Sequence, residues 1–117
     1  MIVFFLTTIQ KGYSIVYTVD NASNIDDGGL VINPTTMTLS KCVRLANANA
    51  GLDNINFNVA TPFICNVSAS LVINSPVIID GLTQPGASAG NLIIQVVCSI
   101  NTDIFRFNAG SNGSTVK

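Results

Sequence analysis

Apolar residues along this chain come in short runs separated by corners of small polar residues, glycine and proline. Between residues 71 and 86, for example, the runs Leu71–Ile73 and Val77–Ile79 are separated by Asn74-Ser75-Pro76, and Asp80-Gly81 follows the second run. β-Branched residues dominate such runs, and Asn, Asp, Ser, Pro and Gly dominate the corners, as in strands joined by tight turns. The stretch therefore predicts two short strands and two corners.

The same pattern predicts strands along most of the chain. They are Tyr13–Val19, Ile55–Val59, Phe63–Val67, Leu71–Ile73, Val77–Ile79, Leu92–Val97, Ile104–Phe107 and a last partial one at Thr115-Val116. From Ile55 onward no stretch between the runs is long enough for a helical crossover, and no strand pair shows the two-residue loop of a simple hairpin. The predicted fold class is therefore all-β, a parallel β-helix in which each run stacks on its equivalent one coil away.

One segment has helical periodicity. Its apolar residues fall at i, i+3, i+4 and i+7, which makes a single stripe of Leu39, Cys42, Val43 and Ala46. Thr38 is the expected N-cap and Gly51 the expected residue just past the C-terminus. The polar side chains expected on the exposed surface are Ser40, Lys41, Arg44 and Asn47. We expect the stripe to lie on the open end of the coil stack, where it would act as a cap.

The pattern divides the chain into three parts. Residues 1–12 contain the apolar run Met1 to Ile9, which is too short to span a bilayer and is interpreted as signal-like or as a first strand. Residues 13–52 are expected to form an N-terminal cap of strand, loop and helix. Residues 53–117 are expected to form the first coils of a β-helix that is truncated.

Composition narrows the possible functions. Charged residues make up 9% of the chain, against about a quarter in an average soluble domain, and the net charge is −1. The cations are scattered, so nucleic acid is not an expected partner. The chain has no His, which excludes Ser-His-Asp and Cys-His sites. Cys42, Cys65 and Cys98 are interpreted as core residues, with one disulfide as the alternative if the protein is exported.

Two groups of acidic residues are weak candidates for a site. Asn24, Asp26 and Asp27 precede Gly28 in a turn-forming segment and could offer oxygen ligands to calcium, although an ordinary Asx-rich turn is the preferred interpretation. Asp80 and Asp103 are the only candidates for a catalytic carboxylate pair on successive coils, and corner roles are the alternative. No cofactor is expected.

Three segments carry a resemblance to a known family: Thr38 to Asn47, Gly51 to Phe57 and Pro76 to Gly86. They follow the patterns Ser/Thr-Leu-Arg-x-x-Ile-x-x-Ala-Asn, Gly-x-Asp-x-Ile-x-Phe and Pro-Val-x-Ile-Asp-Gly-x-x-Gln-Pro-Gly. The chain resembles the N-terminal capping region of bacterial secreted or surface proteins with the right-handed parallel β-helix of the pectate-lyase-like superfold. Ser40 stands where the family has Arg, which implies the loss of an ion pair from helix to loop.

The resemblance implies a non-catalytic structural or adhesin-type region of an extracellular or cell-surface bacterial protein. The alternative is the start of a polysaccharide lyase or hydrolase whose active site lies beyond Lys117. A weaker alternative is a glycan-binding module that uses Tyr13 and Tyr17. The expected partners are a surface glycan or a protein of a host or neighbouring cell, together with self-association through the open end of the stack. No membrane span is expected.

Overall fold

A computed structural model describes residues 12–117. In chain order the elements are β1 (Val16–Val19), α1 (Leu39–Ala48), β2 (Asp53–Phe57), β3 (Ile64–Val67), β4 (Leu71–Ile73), β5 (Val77–Ile79), β6 (Gln95–Cys98), β7 (Phe105–Phe107) and β8 (Thr115–Val116). One 3-10 turn, Gly81–Thr83, lies between β5 and β6. The signal-like run Met1 to Ile9 lies outside the described residues, so that interpretation stays a prediction.

The strands pair in parallel and form three small sheets. The largest has the order β1-β2-β5-β8, and the other two are β3-β6 and β4-β7. Within the largest sheet, Tyr17 lies opposite Ile55 and Ile55 lies opposite Ile79, so that buried side chains form a column across the strands. Side chains alternate between the two faces of a strand, and the buried positions of β2, β4 and β5 alternate accordingly.

The helix begins at its predicted N-cap and buries its predicted apolar stripe. The Thr38 hydroxyl accepts a hydrogen bond from the Lys41 backbone N–H at 3.2 Å, and the whole apolar stripe is buried. α1 contacts β1 and β2 of the largest sheet, and also β3 and β4, so that it touches all three sheets. The predicted C-terminus is wrong, because Asn49 caps the helix. Gly51 has φ +122°, and a Cβ there would lie 3.0 Å from the Gly12 backbone.

The predicted fold class is wrong. An all-β right-handed parallel β-helix with a peripheral capping helix was expected, but the described residues form a small α/β domain with short parallel strands in separate sheets and one helix. The physical reason is the share of the core that α1 supplies. Five of the seventeen buried apolar residues lie in this helix, whereas the strands are only two to five residues long. The helix is therefore part of the core.

Asparagine side chains connect the helix to two strands. Asn47 on α1 donates to the Val72 carbonyl at 2.7 Å and accepts from the Asn74 backbone N–H at 2.8 Å. The Asn74 side chain in turn accepts from Asn108 at 3.0 Å. We call this series of hydrogen bonds the asparagine ladder. Its hydrogen bonds satisfy backbone polar groups that strands of only three residues leave without a partner.

The cysteines are free thiols. Cys42 and Cys65 are buried in the core, as the sequence predicts, and Cys98 is half-buried. Burial raises the pKa of the Cys42 thiol to about 12 and that of the Cys65 thiol to about 11. Both groups therefore stay protonated and unreactive at neutral pH.

Candidate functional site

Two ion pairs fasten the loop before the helix to the helix itself. The Arg44 Nε atom donates to Asp26 Oδ2 at 2.5 Å and Nη2 donates to Asp26 Oδ1 at 2.8 Å, so the pair is bidentate. Arg44 Nη2 also donates to the Gly29 carbonyl at 2.7 Å. One turn earlier, Lys41 Nζ donates to Asp27 Oδ2 at 2.9 Å. The implied loss of a helix-to-loop ion pair is therefore wrong: Arg44 and Lys41 supply such pairs although position 40 is Ser.

Lys41 was expected on the surface, and this expectation is also wrong. Its side chain is 1% exposed, while its partner Asp27 is 46% exposed. Besides Asp27, the Nζ atom donates to the Thr36 hydroxyl at 3.2 Å. A buried ammonium group needs such partners, because burying a charge without them is costly. The residue type gave no sign of this burial, since lysine is almost never fully buried unless it is paired.

The calcium candidates lie at this cluster. Arg44 holds the pKa of Asp26 below its ordinary value through the hydrogen bond between them, and Lys41 lowers the pKa of Asp27 in the same way. Each carboxylate also accepts from a backbone N–H two residues on, as in an Asx turn. Guanidinium and ammonium groups thus already neutralise both acids, and Asn24 is exposed beside them. Within residues 12–117 no three metal-ligating side chains of His, Cys, Asp or Glu form a cluster.

The two catalytic candidates lie in different loops. Asp80 follows β5, where its Oδ1 atom accepts from the Leu82 N–H at 3.0 Å and its Oδ2 atom lies 3.2 Å from Lys117 Nζ. Asp103 precedes β7, is 76% exposed, and lies 3.7 Å from Arg106 Nη2. Each carboxylate lies within 4 Å of a different cation. The strands next to the two residues, β5 and β7, belong to different sheets. Asp80 accepts a hydrogen bond from the backbone of the turn that follows it, whereas the contact seen for Asp103 is with the Arg106 side chain.

A groove of about 360 Å³ lies beside the ion pairs. One wall is the helix face with Ser40, Val43 and Arg44, and the other is the corner between β3 and β4, from Ser68 to Val72. We call it the helix groove. Its apolar surface comes from Val43, Ala69 and the side chains of β4, and hydroxyl and amide groups surround that surface. None of these residues except Asp26 and Asn24 was a candidate from the sequence.

The opposite end of the molecule is apolar. β6, β7 and β8 are the last strands of the three sheets, and each has one edge without a strand partner among the described residues. We call this surface the uncovered end, and the side with α1 the covered end. An indentation of about 270 Å³ here is lined mainly by Phe57, Ile79, Leu92, Ile94, Phe105 and Val116.

A charge-based signal could have located the ion pairs. Lys41 and Arg44 are the only cations between residues 12 and 105, and they lie three positions apart on one helix. Residues 20–29 contain three of the six acids. In a chain with so few charges, both groups have few alternative partners. Nothing comparable pointed to the helix groove, which depends on how the corner at residues 68–70 meets the helix.

Comparisons of the chain with protein-family models, curated proteins and solved structures gave no match. The resemblance drawn from the sequence therefore stays a prediction. In the described part of the chain, α1 is much too short for a membrane crossing, and no other helix is long and apolar enough. Tyr17 is not accessible to a glycan, because it is 3% exposed and its hydroxyl donates to the Leu45 carbonyl.

Proposed function

We propose that the chain is a non-catalytic structural module that dimerises through its uncovered end. The observation that carries this proposal is the exposure of apolar strand residues there. Ile73 of β4 is fully buried, but its register partner Phe107 of β7 is 48% exposed. Ile79 of β5 is 2% exposed, but its partner Val116 of β8 is 48% exposed. Apolar surface of this kind, next to unpaired strand edges, is typical of an association site.

The occupant we infer is a second copy of this chain. Three edges from three different sheets lie at the uncovered end, and only a surface with a matching arrangement can pair with all of them. Two copies related by a two-fold axis offer that arrangement, because an isologous interface joins the same patch of both subunits. The covered end is closed to further copies by α1 and its loop. The expected assembly is therefore a closed dimer.

The positions and partners of the aspartates support a non-catalytic function. Asp80 and Asp103, the weak catalytic candidates, lie in different loops beside Lys117 and Arg106. Asp26 and Asp27 are paired with helix cations, which favours their ionised form. Asp26 and Asp27 therefore lack the raised pKa that a general acid needs.

We also propose that the module works outside the cell or at its surface. The family resemblance supports this location. The two buried thiols are compatible with an oxidising medium, because a protonated thiol reacts with oxidants much more slowly than a thiolate does. Immunodetection in separated culture medium, envelope and cytosol would test it. Recovery in the cytosol alone would contradict the proposed location but would leave the dimer proposal unaffected.

Sedimentation velocity over a range of concentrations tests the dimer. The native chain should pass from monomer to dimer as concentration rises. Val116→Lys should remain monomeric, because a charge would be buried in the interface. The matched control is Val16→Lys, since Val16 is a 54% exposed valine on β1. A monomer at every concentration, growth beyond the dimer, or equal effects of the two substitutions would contradict the proposal.

Cys98 provides a second measurement. It lies in β6 at the uncovered end and is the most exposed thiol, whereas Cys42 and Cys65 are buried. Its alkylation should slow as protein concentration rises, because the dimer covers it. Labelling of Cys98 in Val116→Lys should not depend on concentration. If the native chain also shows no dependence, Cys98 lies outside the interface and the proposed surface is wrong.

A further inference from the structure

We propose that Asn112 is a modification site, which deamidates through a cyclic imide formed with Gly113. Asn112-Gly113 is the only Asn-Gly pair in a chain that is rich in asparagine. Both residues are exposed, in the turn that joins β7 to β8. Glycine has no side chain to hinder an attack by its backbone nitrogen. The proposal rests on this turn and does not depend on the dimer.

The fold itself requires glycine after Asn112. Gly113 has φ +88°, in the left-handed region that favours glycine over every residue with a Cβ atom. A Cβ at this position would meet no heavy atom within 4 Å, so the turn projects into open space. The glycine that the turn needs therefore also leaves room for a cyclic imide.

The two reacting groups are free of hydrogen bonds that would hold them apart. Among the described residues, the Asn112 side-chain amide has no hydrogen-bond partner and the Gly113 N–H has no backbone acceptor. Asn108, in the preceding turn, differs on both counts. Its side chain donates to Asn74 at 3.0 Å, and the next residue is Ala109. Ring closure at Asn108 would first have to break that bond, so Asn112 is the more reactive of the two.

The reaction needs only water and a base. The Gly113 nitrogen loses its proton and attacks Asn112 Cγ. A new N–Cγ bond forms, the bond from Cγ to Nδ2 breaks, and Nδ2 leaves as ammonia with a proton. Water then opens the imide at either carbonyl. Cleavage at Cγ gives aspartate, whereas cleavage at the main-chain carbonyl gives isoaspartate, in which the main chain runs through Cγ. Neither step involves oxidation or reduction.

Isoaspartate would displace β8, because both ends of the turn are fixed. Ser111 is 7% exposed, and its hydroxyl donates to the Asn108 carbonyl at 2.7 Å. The Ser114 hydroxyl accepts from the Val77 N–H of β5 at 3.0 Å. One additional carbon in the main chain lengthens the link between the two serines by about 1.5 Å. The isoaspartate form should therefore lose the bond from Val77 to Ser114 and pair β8 less tightly with β5.

Peptide mapping by mass spectrometry tests the modification. The native chain is incubated in mildly alkaline buffer at a low protein concentration, where the monomer prevails. Asn112 should deamidate about tenfold or more faster than Asn108, which equals about 1.4 kcal/mol in activation free energy. Mildly acidic buffer should slow the reaction, because the nitrogen must lose a proton, and Asn112→Gln should stay unmodified because its ring would be larger. Equal rates at Asn112 and Asn108, an unmodified Asn112 or a rate independent of pH would overturn the proposal.

Amide hydrogen exchange tests the displacement of β8. In the separated isoaspartate form, the Val77 N–H should exchange faster than in the native chain. The Asp80 N–H is the internal control, because it donates to the Ile55 carbonyl of β2 at 2.9 Å and should keep its protection. Asn112→Asp adds the same charge with a normal main chain, so it should protect Val77 as the native chain does. Unchanged exchange at Val77 in the isoaspartate form, or equally fast exchange in Asn112→Asp, would contradict the displacement.

Discussion

The covered and uncovered ends of this molecule contain strands of similar composition, yet they bury them very differently. Val67 of β3 is fully buried, while its register partner Cys98 of β6 is half-buried. The same contrast holds for the pairs Ile73 with Phe107 and Ile79 with Val116. What differs is the neighbour, since α1 contacts β1, β2, β3 and β4, whereas no comparable contact joins it to β6, β7 or β8 in the described part of the chain.

This contrast shows that burial in a stack of short strands is decided by position. A strand residue in the middle of the stack has neighbours on both sides, whereas one at an end has a neighbour on one side only. The polar groups follow the same rule. Buried side chains such as Lys41 and Gln84 lie near the helix or in the middle of the stack and are hydrogen-bonded, while Arg106 and Asp103 at the uncovered end are exposed.

The largest expected difference between the ends comes from truncating a register pair. Ile73→Ala should lower the free energy of unfolding by about 2–5 kcal/mol, because it leaves a cavity in the core. Phe107→Ala should cost only about 1 kcal/mol in the monomer, since about half of that ring is already in water. Urea denaturation of the two variants at low protein concentration measures both values. Equal losses would show that the two ends are equally well packed.

Substitution of two glutamines, one buried and one exposed, tests the same contrast for polar side chains. The Gln84 side chain is 3% exposed, accepts from the Val59 N–H at 2.8 Å and donates to the Val59 carbonyl at 3.0 Å. Gln84→Ala leaves both backbone groups unpaired and should cost about 1–3 kcal/mol. Gln95→Ala, at an exposed position of β6, should change stability by less than about 0.5 kcal/mol. A small effect at Gln84 would mean that water replaces the amide.

A glycine near the uncovered end tests whether that end is well ordered. Gly110 has φ +99°, and a Cβ there would lie 2.8 Å from the Asn74 carbonyl oxygen. Gly110→Ala should therefore cost about 1–2 kcal/mol. Gly90→Ala has open space and should be close to neutral. A chemical denaturation series compares the two. If Gly110→Ala is also neutral, the backbone at this end adapts easily, and the contrast in burial extends to rigidity.

The smallest expected effect is on the acid side of the stability profile. The pKa values of Asp26 and Asp27 are lowered in the folded chain, so their pairs stabilise it fully above about pH 5. That contribution disappears as pH falls through the lowered values, below about pH 4. Asp26→Asn should flatten this part of the curve of melting temperature against pH. An unchanged curve for Asp26→Asn would contradict the assignment.

The sequence predicted the local elements well and the global arrangement poorly. Runs such as Leu71–Ile73 and Val77–Ile79 are strands at the predicted positions, because apolar side chains between turn residues determine local structure directly. The burial of Lys41 and the fold class could not be read in this way. Both depend on where α1 lies relative to the sheets, which is a contact between distant residues. The helix groove escaped prediction for the same reason.

The asparagine ladder has a consequence for how the chain finds its alignment. In β4 the apolar face repeats every two residues, so a shift of β7 by two positions would keep apolar side chains together. It would, however, move Asn108 away from Asn74 and break the bond between their amides. Because Asn74 is also bound to Asn47, the helix and both strands must agree on one alignment. The three amide side chains thus select one strand register. Misaligned pairings that keep the hydrophobic contacts would lose these hydrogen bonds.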